Sequence, residues 1–304
     1  MMKILIGHDG SNSADAALVD LRRAGLPDDA EALVVSVADT MMVVPTSAYE
    51  LSAQALMSRR VTSGLAYARM QTARALEEAR EFGSRARDQV QTHFPLWRVR
   101  AETLAGMPAS EIIRKANQWR PDLIVVGSHG RSAVSRFLLG SVSKTVVTDS
   151  DHSVRVSRGN IENDLSQPPK LVIGVDGSTE AEEAVRAVGR RVWPYGTEVR
   201  IIAVDDGSSS MFTDHNGELP VAAAQMVGWA ENELSVIGLK VSVLAEKGDP
   251  ARVLAEQARA WDADSIFVGG RRFSSALQRF QLGSVATALV TKAHCSVEVV
   301  RKKT

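Results

Sequence analysis

Four small residues with a regular spacing are the part of this sequence best suited to binding a ligand. Gly127 and Gly130 follow an apolar run, Leu123 to Val126, and nine residues separate Gly130 from the pair Gly140 and Ser141. Glycine lets the backbone approach a ligand and adopt positive φ, and the unpaired N–H groups of a loop and a helix start attract anions. The pattern predicts a phosphate-binding strand, loop and helix, with Ser141 as the helix cap. A glycine-rich connection that binds nothing is an alternative that this spacing leaves open.

The segments around this loop alternate between strand and helix. The uninterrupted apolar run before Gly127 is typical of a strand buried in a parallel sheet. Two further strands are expected at Lys3 to His8 and Leu33 to Ala38, with a helix capped by Ser11 or Ser13 between them. This alternation predicts an α/β fold, in which helices cover both faces of a parallel sheet and the crossovers are right-handed.

The chain contains an internal repeat. Lys3 to Ser11 reads KILIGHDGS and Lys170 to Ser178 reads KLVIGVDGS, so six of nine positions are identical. Later landmarks keep the same order, and Pro108 corresponds to Pro250. A sequence that repeats its landmarks in order predicts a duplicated domain.

We therefore expect two Rossmann-like domains, residues 1–158 and 170–304, joined by a polar linker over 159–169 that ends in two prolines. The other elements expected in the first domain are helices over 66–90, 108–119 and from 141, and strands over 97–101, 123–126 and 153–157. In the second domain we expect strands over 171–175, 199–204, 240–245, 266–268 and 297–300, and helices over 179–192, 221–237, 250–261 and 284–293.

Composition narrows the classes of function. Of 304 residues, 44% are hydrophobic and 24% are charged, which is ordinary for a globular protein. The 36 basic and 36 acidic residues balance, which argues against a nucleic-acid partner and against an acidic membrane surface. No stretch reaches the length of a membrane span, and the apolar run within 1–7 is too short for a secretory signal. With Cys295 as the single cysteine, expected to be a small buried hydrophobe, we expect a cytoplasmic location.

Three polar or glycine positions come directly after predicted strands. Asp9 follows the first strand, Val37 to Asp39 end the second, and Gly127 ends the fourth. Ligands of open parallel sheets bind beyond the carboxyl ends of the strands, where the strand order reverses. If the first and fourth strands are neighbours, these three positions converge on one crevice.

These motifs together resemble a known family. Gly127-x2-Gly130-x9-Gly140-Ser141 is similar to the signature of the ATP-binding branch of the universal stress proteins. The opening Ile-Gly-x-Asp-Gly-Ser and the closing strand after His294 are also similar to theirs, in both halves of the chain. The resemblance implies five parallel strands per domain in the order 3-2-1-4-5, and pairing of two domains through their last strands, here 153–157 against 297–300. It also allows a homodimer. Pairing would hide two sheet edges.

The resemblance implies a site residue by residue. Asp9 and Val37 should contact adenine and ribose, and the glycine loop should hold the phosphates. The full set of candidate cofactor-binding residues is Asp9, Gly10, Val37, Gly127, His129, Gly130, Arg131, Gly140, Ser141 and Val142. No residue is assigned a catalytic or metal-binding role. Two alternatives stay open: Asp9 could instead cap the first helix, and His129 could be a solvated loop residue.

The second half departs from the motif. Counting back thirteen residues from Gly283 gives Gly270 as the counterpart of Gly127, which places Phe273 where the first half has Gly130. A bulky side chain leaves the backbone less accessible to phosphate, so the first half should bind nucleotide better. Arg271 and Arg272 could contact phosphate instead, but we favour a solvated loop.

The resemblance therefore implies an ATP-binding regulatory protein of the stress response, with ATP, or ADP or AMP, held mainly in the first half. Mg²⁺ could accompany the phosphates, although no carboxylate cluster in the sequence identifies a site for it. Two alternatives from other classes remain: a slow ATPase or phosphotransfer enzyme, and a dimeric scaffold that binds no nucleotide.

Overall fold

The computed structural model describes residues 1–40, 59–130, 139–158, 166–207, 221–270 and 283–302, and for 59–66 and 221 the backbone alone. The linker residues 159–165 lie outside these ranges, as do Arg131, Arg271, Arg272 and Phe273.

The first half alternates strands and helices. Its strands are β1 (Met2–Gly7), β2 (Ala30–Asp39), β3 (Arg98–Gly106), β4 (Leu123–Gly127) and β5 (Ser153–Ser157). Its helices are α1 (Asn12–Asp20), α2 (Arg59–His93), α3 (Pro108–Trp119) and α4 (Ser141–Asp149), and a short 3-10 helix, Leu21–Arg23, follows α1.

The second half repeats this series. Its strands are β6 (Lys170–Val175), β7 (Glu198–Asp205), β8 (Lys240–Lys247), β9 (Ser265–Gly269) and β10 (Ser296–Val300). Its helices are α5 (Thr179–Gly189), α6 (Val221–Val236), α7 (Pro250–Ala260) and α8 (Ser284–Lys292).

All these strands belong to one sheet. Their order is β3-β2-β1-β4-β5-β10-β9-β6-β7-β8, so each half has the order 3-2-1-4-5 counted from its own first strand. Neighbours within a half run parallel, whereas β5 and β10 pair antiparallel at the centre, with Arg155 directly opposite Glu298. The expected pairing of the two last strands is confirmed, and it leaves β3 and β8 as the outer strands.

Apolar side chains explain the layering. The side chains of β4, Leu-Ile-Val-Val, are all buried, because helices cover both faces of the central strands. On one face a single hydrophobic core spans the junction and joins the strands to α3, α4, α7 and α8. On the other face the first and second halves have separate cores, beneath α1 and α2 and beneath α5 and α6.

The strand β3 begins and ends later than predicted. Trp97, expected to start the strand, instead precedes it, stacks on Phe94 and is buried in the core of the first half. The strand itself, RVRAETLAG, is largely half-exposed or exposed because β3 is an outer strand. Because several of its residues are charged, β3 does not form a continuous apolar run, and its full length could not be predicted from hydrophobicity.

Candidate functional site

The candidate residues of the first half converge at one edge of the sheet. Gly7, the last residue of β1, lies opposite Val35 in β2 and Val126 in β4. His8 after β1, the last residues of β2 from Ser36 to Asp39, and Gly127 at the end of β4 therefore share the carboxyl edge, as predicted for neighbouring first and fourth strands.

Asp9 orients the turn that leads into α1. Its Oδ1 accepts a hydrogen bond from the N–H of Ser11 at 3.0 Å, and its Oδ2 faces the glycine loop, where a Cβ added to Gly130 would lie 2.9 Å from it. The cap of α1 is Ser11, whose hydroxyl accepts from the N–H of Ala14 at 3.2 Å. The alternative that Asp9 caps this helix is thus wrong, and its second carboxylate oxygen faces the loop.

The glycines of the motif are required by close packing rather than by positive φ. None of Gly127, Gly130 and Gly140 has a positive φ, so the expectation that glycine is needed there to adopt positive φ is wrong. A Cβ at Gly127 would lie 2.8 Å from the carbonyl oxygen of Ser13, and one at Gly140 would lie 3.1 Å from the Cα of His129. These glycines let the first turn of α1, the end of β4 and the start of α4 approach one another.

Gly10 is the candidate that does require positive φ. Its φ is +76°, and a Cβ there would lie 2.5 Å from the ring of Phe82 on α2. Any other residue would be strained at this φ and would clash with the ring. Gly10 thus allows α2 to pack over the turn after β1.

Two of the main-chain amides expected to be open are already bonded. The N–H of His129 donates to the hydroxyl of Ser13 at 3.3 Å, and the N–H of Gly140 donates to the carbonyl of Ser128 at 2.8 Å. The imidazole Nδ1 of His129 lies 2.9 Å from the Ser128 hydroxyl. His129 is therefore fastened to the loop and half-buried, rather than solvated.

The amides without a partner in the helix lie at the start of α4. Gly140, not Ser141 as predicted, is the cap of this helix, and glycine offers no side-chain acceptor to the first turn. The first intrahelical bond runs from Lys144 to Gly140, so the N–H groups of Ser141, Val142 and Ser143 precede the helical ladder. The hydroxyl of Ser143 donates to the carbonyl of Gly127 at 2.6 Å and fixes this turn against β4. The turn presents donors and the positive end of a helix dipole to the crevice.

His8 is a buried neighbour of the site that sequence reasoning missed. The N–H of Gly10 donates to its Nδ1 at 3.3 Å, which assigns the proton to Nε2, 3.0 Å from Oδ1 of Asp15. Burial lowers the pKa of His8 below its ordinary 6.5, although the hydrogen bond to Asp15 opposes part of the shift. His8 is therefore a neutral donor near pH 7. The repeat offered a signal, since the second half has Val175 at this position.

A small cavity lies beside Asp9 under α2. It has a volume of about 90 Å³, and its lining residues are His8, Asp9, Ser36, Val37, Ala38, Asp39, Ala75, Glu78, Ala79 and Phe82. Val37, which was expected to contact adenine, is among the residues that line this cavity. The contribution of Phe82 was missed, because helical periodicity does not show where a long helix docks. Pockets for small molecules usually measure about 300–1,000 Å³, so this cavity has room for less than a nucleotide.

The structure corrects the alignment of the second half. Gly269, not Gly270, is the counterpart of Gly127, because it ends β9 and packs against the carbonyl of Glu180 as Gly127 packs against Ser13. Gly270 instead donates its N–H to Val300 at 2.7 Å. Counting three residues onward from Gly269 places Arg272, rather than Phe273, opposite Gly130. Either way the second half lacks the second glycine of the motif.

Other elements of the second site resemble the first. Asp176 accepts a hydrogen bond from the N–H of Ser178 at 3.0 Å, as Asp9 does from Ser11. Gly283 caps α8 without a side-chain acceptor, as Gly140 caps α4. The duplicated sites therefore differ mainly in the loop after the fourth strand and at the position of His8.

The described residues form neither a metal cluster nor a membrane-spanning helix. Within the ranges described above, no group of three or more His, Cys, Asp or Glu side chains could hold a metal ion. None of the helices in that part of the chain combines the length and the apolar character needed to cross a membrane.

Comparisons with known proteins give one consistent result. The profile of the universal stress protein family matches residues 1–158 and again residues 169–301. A universal stress protein of Mycolicibacterium smegmatis is 25% identical over 315 aligned residues that cover 99% of this chain and 97% of that protein. Universal stress protein Rv2005c of Mycobacterium tuberculosis is 27% identical over 218 residues, covering 67% of this chain and 69% of its own.

The solved structures agree with the fold. The crystal structure of a universal stress protein from Archaeoglobus fulgidus superposes with a TM-score of 0.66, at 21% identity, and covers 98% of both chains. With two successive matches to the family profile and this shared architecture, the chain belongs to the universal stress protein family, as a tandem of two of its domains.

Proposed function

We propose that the first half binds ATP, or its products ADP and AMP, and that the protein is a cytoplasmic nucleotide-dependent regulator of the stress response. The observation that carries this proposal is the start of α4, where the cap residue Gly140 has no side chain to bond the first amides. Three amides precede its helical ladder, they face the same strand edge as Asp9 and Val37, and the family motif lies around them. Such a helix start favours phosphate oxygens.

Each candidate residue has a distinct task in this proposal. Asp9 accepts a hydrogen bond from the base or the ribose through the Oδ2 that faces the loop. The amides of Ser141 and Val142 and the hydroxyl of Ser141 donate to phosphate. Gly130 leaves space between the Asp9 carboxylate and the phosphates. Gly127 and Gly140 hold the surrounding backbone, and Arg131 is proposed as a cationic contact because it follows Gly130 directly.

The cavity beside Val37 sets a condition on binding. Its volume of about 90 Å³ is smaller than ordinary ligand pockets, so an adenine ring entering there displaces Phe82 or the part of α2 that carries it. This same observation favours the second candidate function, a scaffold that binds no nucleotide and acts through its paired halves. The two functions differ in a single measurable property, retention of nucleotide.

The decisive experiment identifies small molecules released from the purified, denatured protein by mass spectrometry, followed by calorimetric titration with ATP, ADP and AMP, with and without Mg²⁺. We expect an adenine nucleotide at up to one equivalent per chain. Gly130→Val should abolish binding. Gly228→Val is the matched control, because a Cβ on this α6 glycine meets no atom of the described residues within 4 Å. No nucleotide and no titration heat for the parent protein would favour the scaffold.

A further inference from the structure

The centre of the sheet contains a pair of equivalent positions that carry opposite charges. Val125 of β4 lies opposite Arg155, and its counterpart Phe267 of β9 lies opposite Glu298. Arg155 and Glu298 are therefore the same position of the duplicated domain. They also face each other across the antiparallel junction, so the approximate twofold axis relating the halves passes through this pair.

Both side chains are removed from solvent. Arg155 is 0% exposed and Glu298 is 1% exposed, and their Nη1 and Oε2 atoms are 3.6 Å apart. If a first half paired with another first half in the same way, Arg155 would face Arg155. Two second halves would place Glu298 against Glu298. Each charge would keep the partner that its own half supplies, Asp20 for Arg155 and Arg191 for Glu298. The contact across the junction, however, would change from attractive to repulsive, with no water to screen it.

Each of the two buried charges has an oppositely charged partner in its own half, and the other half lacks that partner. Arg155 donates to both carboxylate oxygens of Asp20 on α1, at 2.7 and 2.9 Å. Glu298 accepts from Arg191, which follows α5. At the position equivalent to Asp20 the second half has Ala187, and at the position equivalent to Arg191 the first half has Ala24.

Further hydrogen bonds and an ion pair join residues of the first half to residues of the second half. Arg155 also donates to the hydroxyl of Ser265 at 2.7 Å, and Arg191 donates to the carbonyl of Ala24 at 2.7 Å. Arg23, after α1, forms a two-bond pair with Asp264, with distances of 2.5 and 2.8 Å. The junction thus matches a first half to a second half in shape and in charge.

We infer that the β5–β10 surface selects unlike halves: the partner that β5 fits is a second half, of the same chain or of another copy, and pairing of like halves between copies is disfavoured. The attractive contacts are the bonds across the junction, and the discriminating element is the like-charge contact that a homotypic pair would create. This inference does not depend on nucleotide binding.

Partner choice is tested with two full-length variants, Arg155→Glu and Glu298→Arg, each of which carries like charges at its own junction. The Glu298→Arg chain keeps a native first half and the Arg155→Glu chain keeps a native second half. Co-refolded from denaturant and analysed by native mass spectrometry, the mixture should give a 1:1 two-chain complex that neither variant forms alone. Equal self-association of each variant, or no complex in the mixture, would overturn the inference.

A second measurement separates the effect of charge from the effect of side-chain volume. It compares how Arg155→Met changes the unfolding equilibrium constant in the parent chain, in Glu298→Gln and in Glu298→Arg. In the parent chain Arg155→Met should raise the unfolding equilibrium constant by about a hundredfold or more, because Asp20 and Glu298 both lose a buried partner. In Glu298→Gln, which preserves volume, only Asp20 still loses a buried partner, so this effect should shrink by about three- to tenfold, and in Glu298→Arg it should shrink further. An equal effect in the parent and Glu298→Gln chains would overturn the inference, even if Glu298→Arg fails to fold.

Discussion

Two glycines of the same motif should respond in opposite ways to the same small change. A Cβ at Gly127 would lie 2.8 Å from the carbonyl oxygen of Ser13 and 2.9 Å from its carbonyl carbon, so the backbone of α1 has to move. Among the described residues, a Cβ at Gly130 would meet only the carboxylate end of Asp9, at 2.9 Å, and a side-chain terminus can turn away. Alanine at 127 therefore tests the fold, and alanine at 130 tests the ligand.

The magnitudes follow from what has to move. Overpacking against a backbone costs about 1–3 kcal/mol, so Gly127→Ala should lower the melting temperature by roughly 2–12 °C. Gly130→Ala should change stability by no more than about 0.5 kcal/mol. By displacing the Asp9 carboxylate, it should weaken nucleotide binding by about 10- to 100-fold, the equivalent of one hydrogen bond to a charged group.

Both variants are compared with the parent protein by urea unfolding and by calorimetric titration with ATP. Gly269→Ala is the matched control, because its Cβ would press on the carbonyl group of Glu180 in the second half. It should destabilise as Gly127→Ala does, with ATP affinity unchanged. Parent-like stability of Gly127→Ala with lost binding, or equal destabilisation by Gly127→Ala and Gly130→Ala, would refute this reasoning.

Three further outcomes are expected. Gly10→Ala should lower the free energy of unfolding by about 1–3 kcal/mol in urea titrations, because φ is +76° and the Phe82 ring lies where the methyl group would go. When Phe82→Ala is already present, Gly10→Ala should lose the steric part of this effect. An unchanged loss would contradict the packing explanation. The pKa of His8 is lowered by burial, so its imidazole binds a proton more readily in the unfolded chain than in the folded one. The contribution of His8 to the free energy of unfolding should therefore be full above pH 6.5 and decrease as the pH drops from 6.5 towards the folded pKa. His8→Gln should make the free energy of unfolding less dependent on pH in this range, and an unchanged dependence would show that other groups cause it. Burial raises the pKa of the Cys295 thiol to about 12, so a thiol reagent at pH 8 should label it only after denaturation, and rapid labelling of the folded protein would show that the thiol is accessible.

Much of this architecture could be predicted because its signals are local. The apolar run of β4 is buried on both sides, and Pro108 and Pro250 begin helices as expected. Alternation and repetition predicted the number of strands, whereas their order in the sheet came from the family resemblance. The junction between 153–157 and 297–300 came from the family resemblance, since no local pattern identifies which sheet edges meet.

The parts that were wrong or missed depend on contacts between distant segments. Counting along one loop cannot detect its extra residue, which is why Gly270 was chosen over Gly269. The roles of Phe82 and His8 depend on where α2 docks and on which side of β1 faces the interior. The cap of α4 was shifted by one residue, because Ser and Gly are both good caps and only the backbone geometry decides.

The helix α1 links two regions that were considered separately. Its first turn, at Ser13, touches the glycine loop, and its last residue, Asp20, is bonded to Arg155 at the centre of the sheet. Nine residues make a rod of about 14 Å, short enough to move as one rigid piece. At its C-terminal end Asp20 also accepts a hydrogen bond from the hydroxyl of Ser296 in the other half, so one short helix bears on both the crevice and the surface between the two halves.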